Sequence, residues 1–368
     1  MFPVLLYHLS GVGSGVRVTR GRNMAQITYS NHGHETVGPP CRIPPQLRLW
    51  AAERLVSAGN RRQAAQRLIE SAPTHGIDLD LMWGTLAPDQ RVDRCRVRQV
   101  CLAVLGSGRT AMLFLSSPDL SKLYAPLLGS RATQIGEISG SISAALDGLR
   151  DLAPERVTLA QALVEPRHDW SREACLGAGM TCVGQLDYMR KKLTKADLTP
   201  MTEPAWPQGV SVRPITTLDP QAPGSDRANL IAALEGTYAD TLDCPELCGL
   251  RSMPDVIESH KGTGDYDPSR WLLVFRDGEP AGCCLLTHCP LSSAIELVYL
   301  GLTPSVRGLG LGKRLLAYGI SRFSDKRVRE ITCAVDNRNA PAIGIYESLD
   351  FARFDARVGF VASITRRE

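Results

Sequence analysis

Between Pro45 and Ser71, Leu47, Leu49, Trp50, Leu55, Val56, Ala64 and Leu68 fall at helical spacing on either side of Gly59-Asn60. That period predicts two helices with a break between them. Val97–Leu105 and Ala111–Ser116 are rich in β-favouring side chains and flank Gly106-Ser107-Gly108, which predicts a hairpin. A helix over 135–150, a buried strand at Val157–Leu163, a short helix at 170–178 and a strand at Thr181–Met189 follow. Residues 191–209, with Lys191-Lys192, Pro200, Pro204, Pro207 and Gly209, then punctuate the chain as a linker does.

Beyond the linker a similar order returns. Val210–Pro214 reads as a strand, 227–242 and 252–260 as helices, and Trp271–Phe275 turns at Asp277-Gly278 into Ala281–Thr287 as a hairpin. A strand at 294–302, a helix at 308–324, a strand at 330–335, a helix at 340–349 and terminal strands within 351–364 complete the pattern. The two orders predict a duplicated α/β unit, although no strong residue-level repeat links the halves. Four segments are expected: a disordered lead-in at 1–40, where no period is visible, a first domain at 41–195, a linker at 196–209 and a second domain at 210–368. Met24 is a candidate for the true start within the lead-in.

Composition narrows the function classes. The 368 residues are 43% hydrophobic and 22% charged, with mean hydropathy of -0.09, which is ordinary for a globular chain and unlike a disordered or multispanning one. No apolar run approaches the roughly 18 residues of a membrane span, and residues 2–7 lack the flanks of a signal peptide. A cytoplasmic protein with no membrane partner is expected. The net charge of +4 hides an asymmetry: residues 1–195 carry 24 basic and 16 acidic side chains, residues 196–368 carry 18 and 22. The arginines of the basic half are scattered at helical spacing without aromatic interleaving, so nucleic acid is not the expected partner. Eleven cysteines are too dilute for a disulfide scaffold and lack zinc spacing, so no metal is expected. Cys283 and Cys284, adjacent on a predicted strand, should face opposite sides.

The segment from Glu296 to Leu316 carries the chemistry. A buried strand runs through Leu300-Gly301-Leu302 and Pro304 into Arg307-Gly308-Leu309-Gly310-Leu311-Gly312-Lys313, and then into an amphipathic helix. The glycines let backbone approach an anion, and the first turn of the helix offers free N–H groups at a positive dipole end. A dinucleotide G-x-G-x-x-G is not met, because residue 313 is Lys.

Arg307-x-x-Gly310-x-Gly312 after such a strand resembles the acyl-coenzyme A signature of the GNAT superfamily of N-acetyltransferases. Asn339-x-x-Ala342-x-x-x-Tyr346-Glu347-x-x-x-Phe351 resembles that family's second hallmark, and the likeness covers about 210–364. It implies two tandem GNAT-like units, each an α/β layer of a mixed, mostly antiparallel sheet with helices on both faces. It implies further that amides of 308–313 bind a pyrophosphate, that the main chain of Leu300 and Leu302 pairs with pantetheine, and that Asn339 approaches acetyl-CoA, the acyl donor. Gly301 would permit the strand bulge that opens the slot. Asp350 stands where the family usually has glycine.

Glu296 is the candidate general base: period two would set it on one face with Leu300 and Leu302, and a carboxylate at this place in the strand resembles the general base of the family's histone-acetylating and mycothiol-synthesising members. Tyr346 is the candidate acid for the departing thiolate. The expected activity is acyl transfer from acetyl-CoA to a primary amine of a small molecule or a protein; the alternative is a non-catalytic acyl-CoA sensor or assembly module. A homodimer is left open. Asp240, Asp243, Glu246, Asp255, Glu258, Asp265 and Asp267 would form an acidic lid suited to a cationic amine, or a plain solvated surface. In the first half, Leu127 to Gly136 stands where a cradle should be without the R-x-x-G-x-G pattern. The first half therefore resembles a degenerate unit, and the tandem layout resembles that of the family's mycothiol-synthesising members.

Overall fold

In a computed structural model, residues 37–56, 60–87, 96–119, 128–152, 156–323 and 327–364 are described. The expected lead-in through residue 36 and Met24 lie outside them. The chain forms two compact units: one combines Leu105–Leu113 with the segment from Leu149 onward, and the other holds the residues up to Val104 with Phe114–Gly148.

In the second of these, α1 (Arg48–Leu55) and α2 (Arg61–Ser71) are separated where the sequence predicts. Asn60 starts α2 by accepting from the Gln63 amide at 3.2 Å, a cap that satisfies one orphan donor. Leu47 just before α1, Ala51 on it, and Ala65 and Leu68 on α2 pack with Val97, Val100 and Leu102. The latter lie on β3 (Val97–Gly106), which pairs with β2 (Met82–Leu86); β2 in turn pairs with β1 (Cys41–Arg42). Neither β1 nor β2 is visible in the sequence pattern, since Met-Trp-Gly-Thr-Leu is too short and mixed to show a period. The long helix α3 (Arg131–Arg150) is preceded by Ser130, whose hydroxyl accepts from the Thr133 amide at 3.1 Å.

The larger unit contains the rest. Its strands are β4 (Thr110–Leu115), β5 (Leu159–Val164), β6 (Thr181–Lys192), β7 (Val210–Pro214), β8 (Trp271–Arg276), β9 (Glu279–Cys289), β10 (Ala294–Leu302), β11 (Glu330–Asp336) and β12 (Ala352–Ser363). Their order across the sheet is β4-β5-β12-β6-β11-β10-β9-β8-β7. Pairing is antiparallel except for β4 with β5 and β10 with β11. Helices α4 (Asp169–Gly177), α5 (Arg227–Thr237), α6 (Met253–Lys261), α7 (Leu311–Ser321) and α8 (Ala340–Glu347) join them.

Period two sorts the core. Leu272, Val274 and Cys284 face a cluster built on α7, while Trp271, Leu273 and Cys283 face one built on α5 and α6. Helices therefore cover both faces of a mixed, mostly antiparallel sheet, and the adjacent cysteines do point apart. Counting β2, helix-helix-three strands-helix-strand-helix-strand describes the first half, and the second half matches once β7 is set aside.

The last strands are exchanged. β6, from before the linker, lies between β11 and β12, and β12 lies between β5 and β6. Lys191 and Lys192, which look like the start of a linker, pair with Ile331 and Glu330 instead. For this reason β5, α4 and β6 share a compact unit with the second half, and compactness does not follow the linker. Among the described residues no helix is long and apolar enough to cross a membrane.

Candidate functional site

A slot opens where β10 and β11 part. They pair only over Ala294–Glu296 and Glu330–Thr332, after which β11 continues against β6 and β10 against β9. Between them lies a cavity of about 220 Å³ walled by Leu297, Leu300, Leu302, Asn339 and Tyr346, among others.

The bulge that helps to open it is not at Gly301. The register shifts between Leu297 and Tyr299, leaving Val298 opposite no residue of β9, while Gly301 sits in register with Cys283. Glycine at 301 is a matter of room: a Cβ there would lie 2.6 Å from Tyr299 Cε1 and 2.9 Å from Thr237 Cβ. The extra residue also reverses the alternation of the strand. Leu300 and Leu302 pack with Ile295 and Leu297 on the α7 face, whereas Glu296 lines a second cavity, beside Val256, Ser259 and His260 of α6. The expectation that Glu296 shares a face with Leu300 and Leu302 is thereby overturned.

At the rim of the slot, Gly308 and Gly310 take φ of +76° and +70°, where an L side chain would be strained. Gly310 precedes the first turn of α7 with no side-chain cap, so the amides of Leu311, Gly312 and Lys313 stay open for an anion. The first half differs at the matching place, where the Ser130 hydroxyl fills the helix start. Leu309 is exposed and Leu311 is buried in the core. Gly312 allows close approach of α8, since its Cβ would meet Ile345 Cδ1 at 2.6 Å. Lys313 Nζ donates to the Ser348 carbonyl at 2.9 Å.

Arg307 borders the slot but spends its guanidinium on protein. Nε donates to Leu302 O at 2.9 Å, and Nη2 donates to the carbonyls of Thr237 at 3.1 Å and Ala239 at 2.9 Å. It thus ties the glycine turn to the C-terminal end of α5, where a cation also suits the dipole. Asn339 caps α8 by accepting from the Ala342 amide at 3.2 Å. Asp350 itself adopts φ +66°, the left-handed turn that glycine would supply.

Glu296 is 7% exposed. Burial pushes its carboxyl up to about 7, against the lowering effect of a hydrogen bond from Thr332 Oγ1 at 2.5 Å. Tyr346 is buried, and burial pushes its phenol well above the usual range, so it keeps its proton. Asp243 lines both cavities, accepts from the Asp336 amide at 3.1 Å, and is also raised by burial.

The second cavity, about 120 Å³, adjoins the first at Leu297, Val298 and Tyr299. Its walls include Leu159, Gln161 and Tyr188 from β5 and β6, which no sequence motif marks, because strand exchange brings them there. Arg251 and His260 also line it. The acidic lid is mostly neutralised: Asp255 is held by Arg109 at 2.7 and 2.5 Å, Glu246 by Arg338 at 2.7 Å, Glu258 by Lys261 at 3.1 Å and Asp267 by Arg270 at 3.2 Å. The reading as a charged outer surface fits these pairs, and only Asp243 of the seven reaches the second cavity.

Residues 234–351 match the Acetyltransferase (GNAT) family model. The chain is 31% identical over 211 residues to a mycothiol acetyltransferase of Salinispora tropica, covering 54% of this chain and 64% of that one. It is 29% identical over 188 residues to that of Streptomyces scabiei, covering 51% and 56%. The matched part thus spans little more than half the length of such relatives. A GCN5-related N-acetyltransferase from Sphaerobacter thermophilus has a similar fold, with a TM-score of 0.53 at 18% identity over 89% of this chain and 96% of that one.

Proposed function

Residues 234–351 are a GNAT-family acetyltransferase domain, and from that premise we propose that the protein moves an acetyl group from acetyl-CoA to a primary amine. The observation that carries this reading is the junction of the two cavities: a slot with an open helix start at one end and a buried carboxylate just past the strand bulge. The donor suits the residues present. Open amides of Leu311–Lys313 beside Gly308 and Gly310 fit a pyrophosphate, and the parted edge of β10 fits an extended amide chain.

In this reading Glu296 accepts a proton from the acceptor ammonium, directly or through one water, so that a neutral nitrogen forms the new C–N bond. Main-chain N–H groups near Val298, freed by the bulge, polarise the thioester carbonyl. As the C–S bond breaks, Tyr346 gives its proton to the leaving sulfur, and the second proton shed by the new amide nitrogen restores the neutral phenol through water. The first half serves as scaffold: its own cradle is closed by Ser130, and it supplies β5 and β6 to the acceptor side.

Thiol release from acetyl-CoA across a panel of amines tests the proposal. Glu296→Gln is expected to lower kcat by about 10²–10⁴, and Tyr346→Phe by about 10–10², with coenzyme affinity kept. Tight coenzyme binding with no turnover of any amine would favour the sensor reading and overturn this one.

A further inference from the structure

The acceptor cavity holds two polar side chains that nothing in the protein satisfies. Among the described residues Arg251 makes no ion pair and no hydrogen bond, although it lines the cavity. Its nearest carboxylate neighbour, Asp255, is already taken by Arg109 on one side and by the Ser252 hydroxyl at 2.6 Å on the other. His260, from the last turn of α6, is 9% exposed, and both ring nitrogens are buried without a partner. The ring is fixed by stacking on Tyr299, with centroids 5.7 Å apart.

Leaving the His260 nitrogens bare costs free energy, because a buried donor or acceptor loses water without gaining a partner. A ligand anion that pairs with His260 and with the half-buried Arg251 guanidinium would recover that cost and balance the charge. Burial lowers the tendency of His260 to protonate, and the Arg251 charge lowers it further, so the ring offers one N–H donor and one acceptor. The cationic charge facing the cavity is therefore that of Arg251. The carboxylates facing it are Glu296 and Asp243, of which Asp243 also lines the coenzyme slot.

Resting on the acetyl-transfer reading, we infer that the acceptor is a small amine carrying an anionic group, which Arg251 and His260 bind while its amino nitrogen faces Glu296. The cavity of about 120 Å³ is well below the ~300–1,000 Å³ of pockets for drug-sized ligands, so the acceptor is of amino-acid size. A carboxylate and a phosphate share the needed chemistry; both accept from a guanidinium fork.

The full chain loaded with coenzyme A is titrated by calorimetry with amino acids of increasing chain length, with phosphoethanolamine, and with the carboxamides of the same amino acids. At least one anionic amine is expected to bind about tenfold or more tightly than its neutral counterpart. Arg251→Met should bring that ratio to about one and Arg251→Lys should keep part of it, with coenzyme affinity reporting that both variants fold. Preference for phosphoethanolamine or for the amino acids identifies the headgroup. The inference is overturned if the carboxamides bind as well, if no anionic amine binds, or if the preference survives Arg251→Met. Thiol release on the same panel separates it from its premise. An Arg251-dependent preference without turnover sinks acetyl transfer and leaves the anion site standing, while turnover of neutral amines alone does the reverse.

Discussion

Burial raises the Glu296 carboxyl to about 7, so near neutrality the side chain is divided between its acid and base forms. In the role proposed for it, a base works only when ionised, and kcat/KM is expected to rise about tenfold per pH unit below about 7 and then level off. The same shift acts on stability with the opposite sense. Its folded value lies above the ordinary value of 4.5, so between the two the folded chain holds a proton that the unfolded chain has released. Stability from this group is complete below the ordinary value and is lost as pH rises through about 7. Glu296→Gln should therefore melt several degrees above the wild type at about pH 8.5, with the gap closing toward about pH 4. Calorimetric melts across pH check this, and a constant gap would refute it. Glu296 was legible as a candidate from its strand position, but not its surroundings: the partner Thr332 is 36 residues away on β11.

At the scale of elements, the glycine turn and α5 form one piece because Arg307 joins them. A guanidinium fork can serve Leu302, Thr237 and Ala239 together, which the single ammonium of lysine cannot. Arg307→Lys should raise the KM for acetyl-CoA about tenfold with a smaller change in kcat; an equal loss in kcat with unchanged KM would rule out this positioning role. The motif was plain in the sequence, yet a linear pattern does not show that its arginine reaches the carbonyls of Thr237 and Ala239 at the end of a distant helix. The bulge is a similar case. Glycine marked the right strand, but the register shift fell at Val298, where β-branched valine gives no such signal, and one inserted residue sent Glu296 to the other face.

Over the whole molecule, the exchange of β6 and β12 decides what can stand alone. A fragment beginning at residue 196 would lose the strand that pairs with seven consecutive residues of β11, Glu330 to Asp336, and with much of β12. Open edges on β11 and β12 would result, a hazard for association between chains. Residues 196–368 expressed alone are expected to aggregate or remain unfolded, and co-expression with residues 37–195 to restore a soluble complex; a monomeric, cooperatively melting fragment would refute this.

Local physics made much of this protein readable from its residues. Alternation of two and periods near 3.6, turn residues and glycine spacing located most of the strands and helices, the doubled order and the glycine turn before α7, because each depends on neighbours within a few positions. Pairing between distant strands does not. Which strand sits beside β11, which side chains of β5 and β6 reach the second cavity, and which acids of residues 240–267 are already neutralised were decided by tertiary structure alone. Strand order, bulge parity and ion pairing are set by packing across tens to hundreds of residues, and a linear pattern holds no record of that distance.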